Sequence, residues 1–126
     1  MKKKFKISSR INSFKYAFNG IKIMFKSEHN FWIHIAATFL VISLGLYLTL
    51  TPIEWCIILL CIGLVISLEM VNSSIERICN LISLERNKEI ESIKDIAAGA
   101  VLVSSIVSFI IGALIILPKI FRLLPF

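Results

Sequence analysis

The sequence predicts an all-α membrane protein in one domain, residues 1–126: an amphipathic surface helix at the N-terminus and three transmembrane helices. Three observations carry this. The 126-residue chain is 57% hydrophobic, with a mean hydropathy of +0.86, too oily for an ordinary soluble fold. Its apolar residues fall in long runs, each reaching the ~20 residues that cross ~30 Å of hydrocarbon. Its basic residues are distributed unevenly between the runs. Backbone groups in lipid must close their own hydrogen bonds, so the runs are helices rather than open strands.

Residues 10–26 come first. Ile11, Phe14, Phe18, Ile21 and Phe25 recur at spacings of three and four, the period of an amphipathic helix. Lys15, Lys22 and Lys26 can reach headgroup phosphates from a helix lying on the membrane surface. "MKKKFK" imitates the start of a signal peptide, but no apolar core follows promptly, so no cleavage is expected.

The first span is "FWIHIAATFLVISLGLYLTL", residues 31–50. Thr51-Pro52 breaks it from the second, because the residue before a proline disfavours helix. The second span covers about 53–76, and the pair forms an antiparallel hairpin with a tight turn. "NLISLERNKEIESIKD" reads as the only sizeable polar loop. The third span is about 96–117. Its Ala100, Ser104, Ser108 and Gly112 recur every four residues, a pattern that lets helices approach closely in lipid, within or between subunits. Three spans offer few internal contacts, so an oligomer is expected. Cys56, Cys61 and Cys79 form no metal-binding spacing.

The net charge is +6, and eight of the 14 Lys and Arg lie in residues 1–26. Four more lie between Arg77 and Lys94, and the turn after the first span has none. The positive-inside rule therefore places the N-terminus, and the loop after the second span, in the cytoplasm. The same distribution favours anionic lipid and phosphate over nucleic acid as partners.

The second span ends in "LEMVNSSIE". At 100° per residue Glu69, Asn72 and Glu76 fall within roughly 60° of one another, with Glu69 roughly 10 Å deeper than Glu76. Ionisable residues inside a membrane are by default candidates for function. Asn72 taken alone can be interhelical glue, worth ~0.6 kcal/mol, and Glu76-Arg77 alone can be the wetted end of a helix. Glu28 precedes the first span. Lys94 and Asp95 precede the third, where Asp95 also suits a helix N-cap. Three helix ends thus bring Glu28, Glu76 and Lys94/Asp95 to one level. Carboxylates there are hard oxygen ligands for Mg²⁺, which also binds substrate phosphates. Lysine supplies a point charge for phosphate, and a deeper acid can act as base toward a hydroxyl arriving from the lipid. The pattern suits a lipid kinase without a Walker motif. It also suits a small transporter or an assembly subunit that is not an enzyme.

"LEMVNSSIERICNLIS" followed by "KDIAAGAVLVSS" resembles the prokaryotic integral-membrane diacylglycerol kinase family, which includes the undecaprenol kinases. "SFKYAFNGIKIMFKSEHNF" and the three-span layout extend the resemblance over about residues 9–118. It implies a homotrimer in the bacterial inner membrane, with composite sites on the cytoplasmic side. The implied reaction transfers the γ-phosphate of Mg-ATP to a lipid hydroxyl, undecaprenol or diacylglycerol. Matched by motif, Glu69 is the general base and meets the lipid. Glu28 and Glu76 bind metal and, with it, nucleotide. Asn72, Lys94 and Asp95 surround the phosphates. Arg10 and Tyr16 fall in the N-terminal nucleotide-contacting segment, and Glu85, Arg86 and Asn87 in a nucleotide-contacting loop, where Asn87 replaces a common histidine. His34 is either an imidazole bonded to a neighbour or a contact to the lipid headgroup.

Overall fold

A computed structural model describes residues 4–125. The lysine-rich start at Met1–Lys3, which imitates a signal peptide, lies outside the described residues. The described residues form four helices: α1 Ile7–Ser27, α2 His29–Tyr47, α3 Pro52–Ile82 and α4 Lys88–Leu123. The last three are long and apolar enough to cross a membrane. α3 packs most extensively on α4, and α2 leans on both.

The α2–α3 turn is short, as the sequence suggests, but it takes residues 48–51 because α2 ends before its apolar run does. α2 stops at Tyr47, and the chain turns through Thr49, whose φ of 53° is in the left-handed region. Thr51 then caps α3, with Pro52 in the first turn where its missing N–H costs nothing. The Thr51 side chain accepts from the Glu54 amide at 3.3 Å, and the Glu54 carboxylate accepts from the Thr51 amide at 2.9 Å. This reciprocal pair satisfies two donors that a helix start leaves open. Lys119 of α4 reaches the same carboxylate at 3.1 Å. Nearby, Gly45 lies against Trp55: a Cβ there would sit 2.7 Å from the indole Cη2 and 2.9 Å from Leu50 Cδ1.

The sizeable polar loop is not present. α3 runs on to Ile82 and α4 starts at Lys88, leaving only residues 83–87 between them. The physical reason is periodicity that outlasts the apolar composition. On α4 the covered positions are Ile90, Lys94, Ala97, Val101 and Ser104, spaced by three and four as packed antiparallel helices require. On α3, Glu69, Asn72, Glu76 and Cys79 continue the same rhythm. At 1.5 Å per residue α4 is ~54 Å long, well beyond ~30 Å of hydrocarbon. Helix therefore projects past the apolar zone and carries the polar residues with it.

Candidate functional site

α3 brings the stripe together as its spacing requires. Glu69 is 5% exposed, and Asn72 and Ser73 are also buried. Glu76 is half-buried one turn on. A buried carboxylate is costly without a partner. Glu69 faces His34 of α2, Nε2 to Oε2 at 3.7 Å, close enough for charge to matter but too long for a direct hydrogen bond. Among the described residues Asn72 Oδ1 and Ser73 Oγ have no hydrogen-bond partner. Such orphaned atoms are rare in packed interiors and cost roughly 1–3 kcal/mol each. A buried acid and two unpartnered polar atoms thus share one stripe of α3.

Glu28 joins the stripe from the joint between α1 and α2. An aromatic wedge fixes this corner. Phe25 meets Phe31 edge-on at 4.9 Å and Trp32 at 5.2 Å, and the Trp32 indole donates to the Phe25 carbonyl at 2.9 Å. Glu28 Oε1 accepts from Arg77 Nη2 at 3.1 Å. The Ser73 hydroxyl, then the Arg77 guanidinium and Ser27, hold the Glu28 carboxyl below the usual carboxylate range, against the opposing effect of partial burial. Ser73 Oγ lies toward Glu28, but short of good hydrogen-bond geometry. Glu28, Glu76 and His34 are all near enough to Glu69 for their charges to be felt there.

The remaining candidates gather nearer the short loop. Lys94 Nζ donates to Asn80 Oδ1 at 2.7 Å. Lys94, Glu85, Arg86 and Asn87 line one polar pocket of about 230 Å³ with Asn80 and Glu91. Arg86 pairs with Glu91 at 2.9 Å. The cap of α4 is Asn87, not Asp95: Asn87 Oδ1 accepts from the Glu89 amide at 2.9 Å and the Ile90 amide at 3.4 Å. Asp95 lies exposed two turns inside the helix, because α4 begins earlier than its apolar run. Arg10 and Tyr16 are exposed on α1, where the Arg10 guanidinium covers the Phe5 ring at 5.3 Å. Neither residue lines this pocket.

Sequence reasoning missed Arg77 and Asn80 as site residues. Asn80 was legible, since it falls one turn beyond Glu76 on the same stripe. Arg77 was not, because its role depends on where α1 ends. Among the described residues no three His, Cys, Asp or Glu converge as a complete protein metal site. Glu28 and Glu76 each lie near enough to Glu69 for their charges to be felt there, and with the Asn72 side chain they supply hard oxygen donors. That set fits Mg²⁺, which keeps several waters and shares itself with phosphate.

An apolar groove of about 480 Å³ runs between α2, α3 and α4. His34, Thr38 and Val65 line it, and so do Ser108, Gly112 and Ile116 of α4. It therefore begins beside the residue that faces Glu69. At Gly112, which lines the groove, an added Cβ would meet nothing within 4 Å inside the subunit.

A family model described as prokaryotic diacylglycerol kinase matches residues 15–116. The chain is 44% identical over 107 residues to an undecaprenol kinase of Bacillus subtilis, spanning 85% of this chain and 87% of that protein. It is 34% identical over 113 residues to a diacylglycerol kinase of Synechocystis, spanning 89% of this chain and 65% of that protein. A diacylglycerol kinase of Haemophilus influenzae is 32% identical over 94 residues, spanning 75% and 80% respectively.

Proposed function

The chain belongs to the prokaryotic diacylglycerol kinase family, and from that premise we propose how its residues phosphorylate a membrane lipid alcohol. It is a lipid kinase, which leaves the transporter and assembly-subunit readings without support. The observation that carries the site assignment is the buried Glu69 facing His34, which lines the apolar groove, with Asn72 Oδ1 and Ser73 Oγ unpartnered on the same stripe.

The lipid alcohol approaches along the groove with its hydroxyl toward Glu69, and His34 orients the carboxylate. Glu69 takes the hydroxyl proton as the oxygen attacks the γ-phosphorus of ATP and ADP leaves. Glu28 and Glu76 would hold Mg²⁺, which when bound neutralises phosphate charge. Asn72 donates or accepts at the reacting oxygens, and Lys94 supplies a positive charge toward the phosphates. Glu85, Arg86 and Asn87 border the nucleotide, with Asp95 at its edge. Arg10 and Tyr16 sit far enough along α1 to meet nucleotide in a composite site. Phosphoryl transfer needs mostly alignment and charge stabilisation, and a fixed stripe on one helix supplies both.

The site lies on the cytoplasmic side of the bacterial inner membrane, as the charge distribution favours. α1, with Ile11, Phe14 and Phe18 exposed, lies along the membrane surface. The large apolar surface left on α2 and α4 suits lipid and a homotrimer.

The test is direct. The full chain in lipid vesicles receives labelled ATP with undecaprenol in one arm and diacylglycerol in the other. Labelled lipid is expected in at least one arm, lost with Glu69→Gln. If neither alcohol, nor a panel of other lipid alcohols, acquires label, the reading is wrong.

A further inference from the structure

Among the described residues Arg77 is the Lys or Arg that pairs with one of Glu28, Glu69 and Glu76. Its Nη2 donates both to Glu28 Oε1 at 3.1 Å and to Ser27 Oγ at 2.5 Å. Lys94, by contrast, is engaged with Asn80. The Arg77 side chain is 50% exposed and that of Glu28 23%, so a long, solvent-washed arm holds a less exposed carboxylate. We propose that Arg77 is a positioning residue that occupies Glu28 Oε1 until a divalent ion displaces it, so that the guanidinium gates cation entry and then turns to the polyphosphate. This rests on the reading of Glu28 as a metal-binding acid.

The chemistry allows few alternatives to displacement. A guanidinium cannot release its charge by losing a proton in the working pH range. A divalent ion on the same carboxylate would stand against that fixed positive charge, and movement of the arm relieves the repulsion. Moving it is cheap, because partly exposed ion pairs contribute little. A displaced guanidinium matches phosphate oxygens with its planar fork, and Arg77 follows Glu76 directly in the chain. Ser27 gives the arm its second anchor at the end of α1. The gate therefore also ties α3 to the corner that carries Glu28.

The test measures cation binding rather than turnover. The full chain in nanodiscs without nucleotide is titrated with Mn²⁺, which takes oxygen ligands as Mg²⁺ does, and the free ion is followed by electron paramagnetic resonance. Arg77→Gln is expected to bind Mn²⁺ about twofold to fivefold more tightly than wild type, the range that loss of a weak competing ion pair gives. Ser27→Ala, which loosens the arm but keeps its charge, shifts binding the same way by less. Lys88→Gln removes one charge at the same end without touching Glu28 and leaves binding unchanged. With Mn²⁺ saturating, Arg77→Gln weakens binding of a non-hydrolysable ATP analogue. Unchanged or weaker Mn²⁺ binding in Arg77→Gln overturns the gate, as does a matching gain in Lys88→Gln. If Arg77→Gln does not fold, no gain in Ser27→Ala overturns it. Glu28→Gln separates the two levels. Its loss of Mn²⁺ binding upholds the metal reading, so a null result at Arg77 then defeats the gate alone. Undiminished Mn²⁺ binding in Glu28→Gln defeats the metal reading and the gate together.

Discussion

The two ends of the α3–α4 pair use the same residue types to opposite ends. Near Thr51, Glu54 is held on several sides: it takes the Thr51 amide at 2.9 Å and Lys119 at 3.1 Å, while its own amide is capped by Thr51. Gly45 lets Trp55 close down beside it. Some fifteen residues along the same helix, Glu69 is buried with only His34 at 3.7 Å, and Asn72 Oδ1 and Ser73 Oγ beside it are unpartnered. Polar groups that are satisfied locally stabilise a fold. Polar groups left unsatisfied in a buried stripe cost stability and are retained where a ligand completes them.

The contrast can be broken most sharply at Glu69. Glu69→Gln should cut phosphate transfer to lipid by about 10² to 10⁴-fold, the usual contribution of a positioned acid–base group, while nucleotide binding persists. Parallel loss of both, seen by titration with a non-hydrolysable analogue, would move Glu69 into a structural or metal-binding role.

At the other end, Gly45→Val should destabilise the protein by roughly 1–3 kcal/mol, the cost of overpacking a filled site, in thermal unfolding followed in detergent. A variant as stable as wild type would show that Trp55 can swing away and that the corner is not rigid. Thr51→Ala should cost about 1 kcal/mol by loss of the helix cap, with lipid phosphorylation unchanged. Asn72→Ala is its mirror image: little net loss of stability, since removing the unpartnered Oδ1 relieves a cost of about 1–3 kcal/mol that offsets the lost packing, and activity sharply reduced. If Asn72→Ala unfolds the protein while Thr51→Ala lowers activity, the contrast between the ends collapses.

The smallest effect concerns acid. Glu28 has its folded pKa below the ordinary value of 4.5. Its stabilising contribution is therefore complete above that ordinary value and drains away as pH falls through the lower folded value. The stability difference between wild type and Glu28→Gln should be flat from neutral pH down to about 4.5 and shrink below it. A difference that grows on acidification would mean that Arg77 does not hold Glu28 as an anion.

Much of this was legible in the residues. The apolar runs gave three long helices, and "LEMVNSSIE" placed Glu69, Asn72 and Glu76 on one face because an α-helix fixes 100° per residue. Helix ends were less legible. Polarity suggested a long loop after Glu76, whereas spacing at Cys79, Ile90 and Lys94 continued both helices and left residues 83–87 to turn the chain. Asp95 then lost the capping place to Asn87 for the same reason.

By itself, then, the sequence determined which residues share a helix face and which segments must bury their backbone in lipid, because both follow from local geometry and solvent. Which faces meet was left to the tertiary structure. His34 opposite Glu69, Arg77 on Glu28, Trp55 over Gly45 and Lys119 on Glu54 all depend on how separate helices are rotated and offset. That rotation is chosen by the summed packing of many side chains, so no single stretch of sequence encodes it.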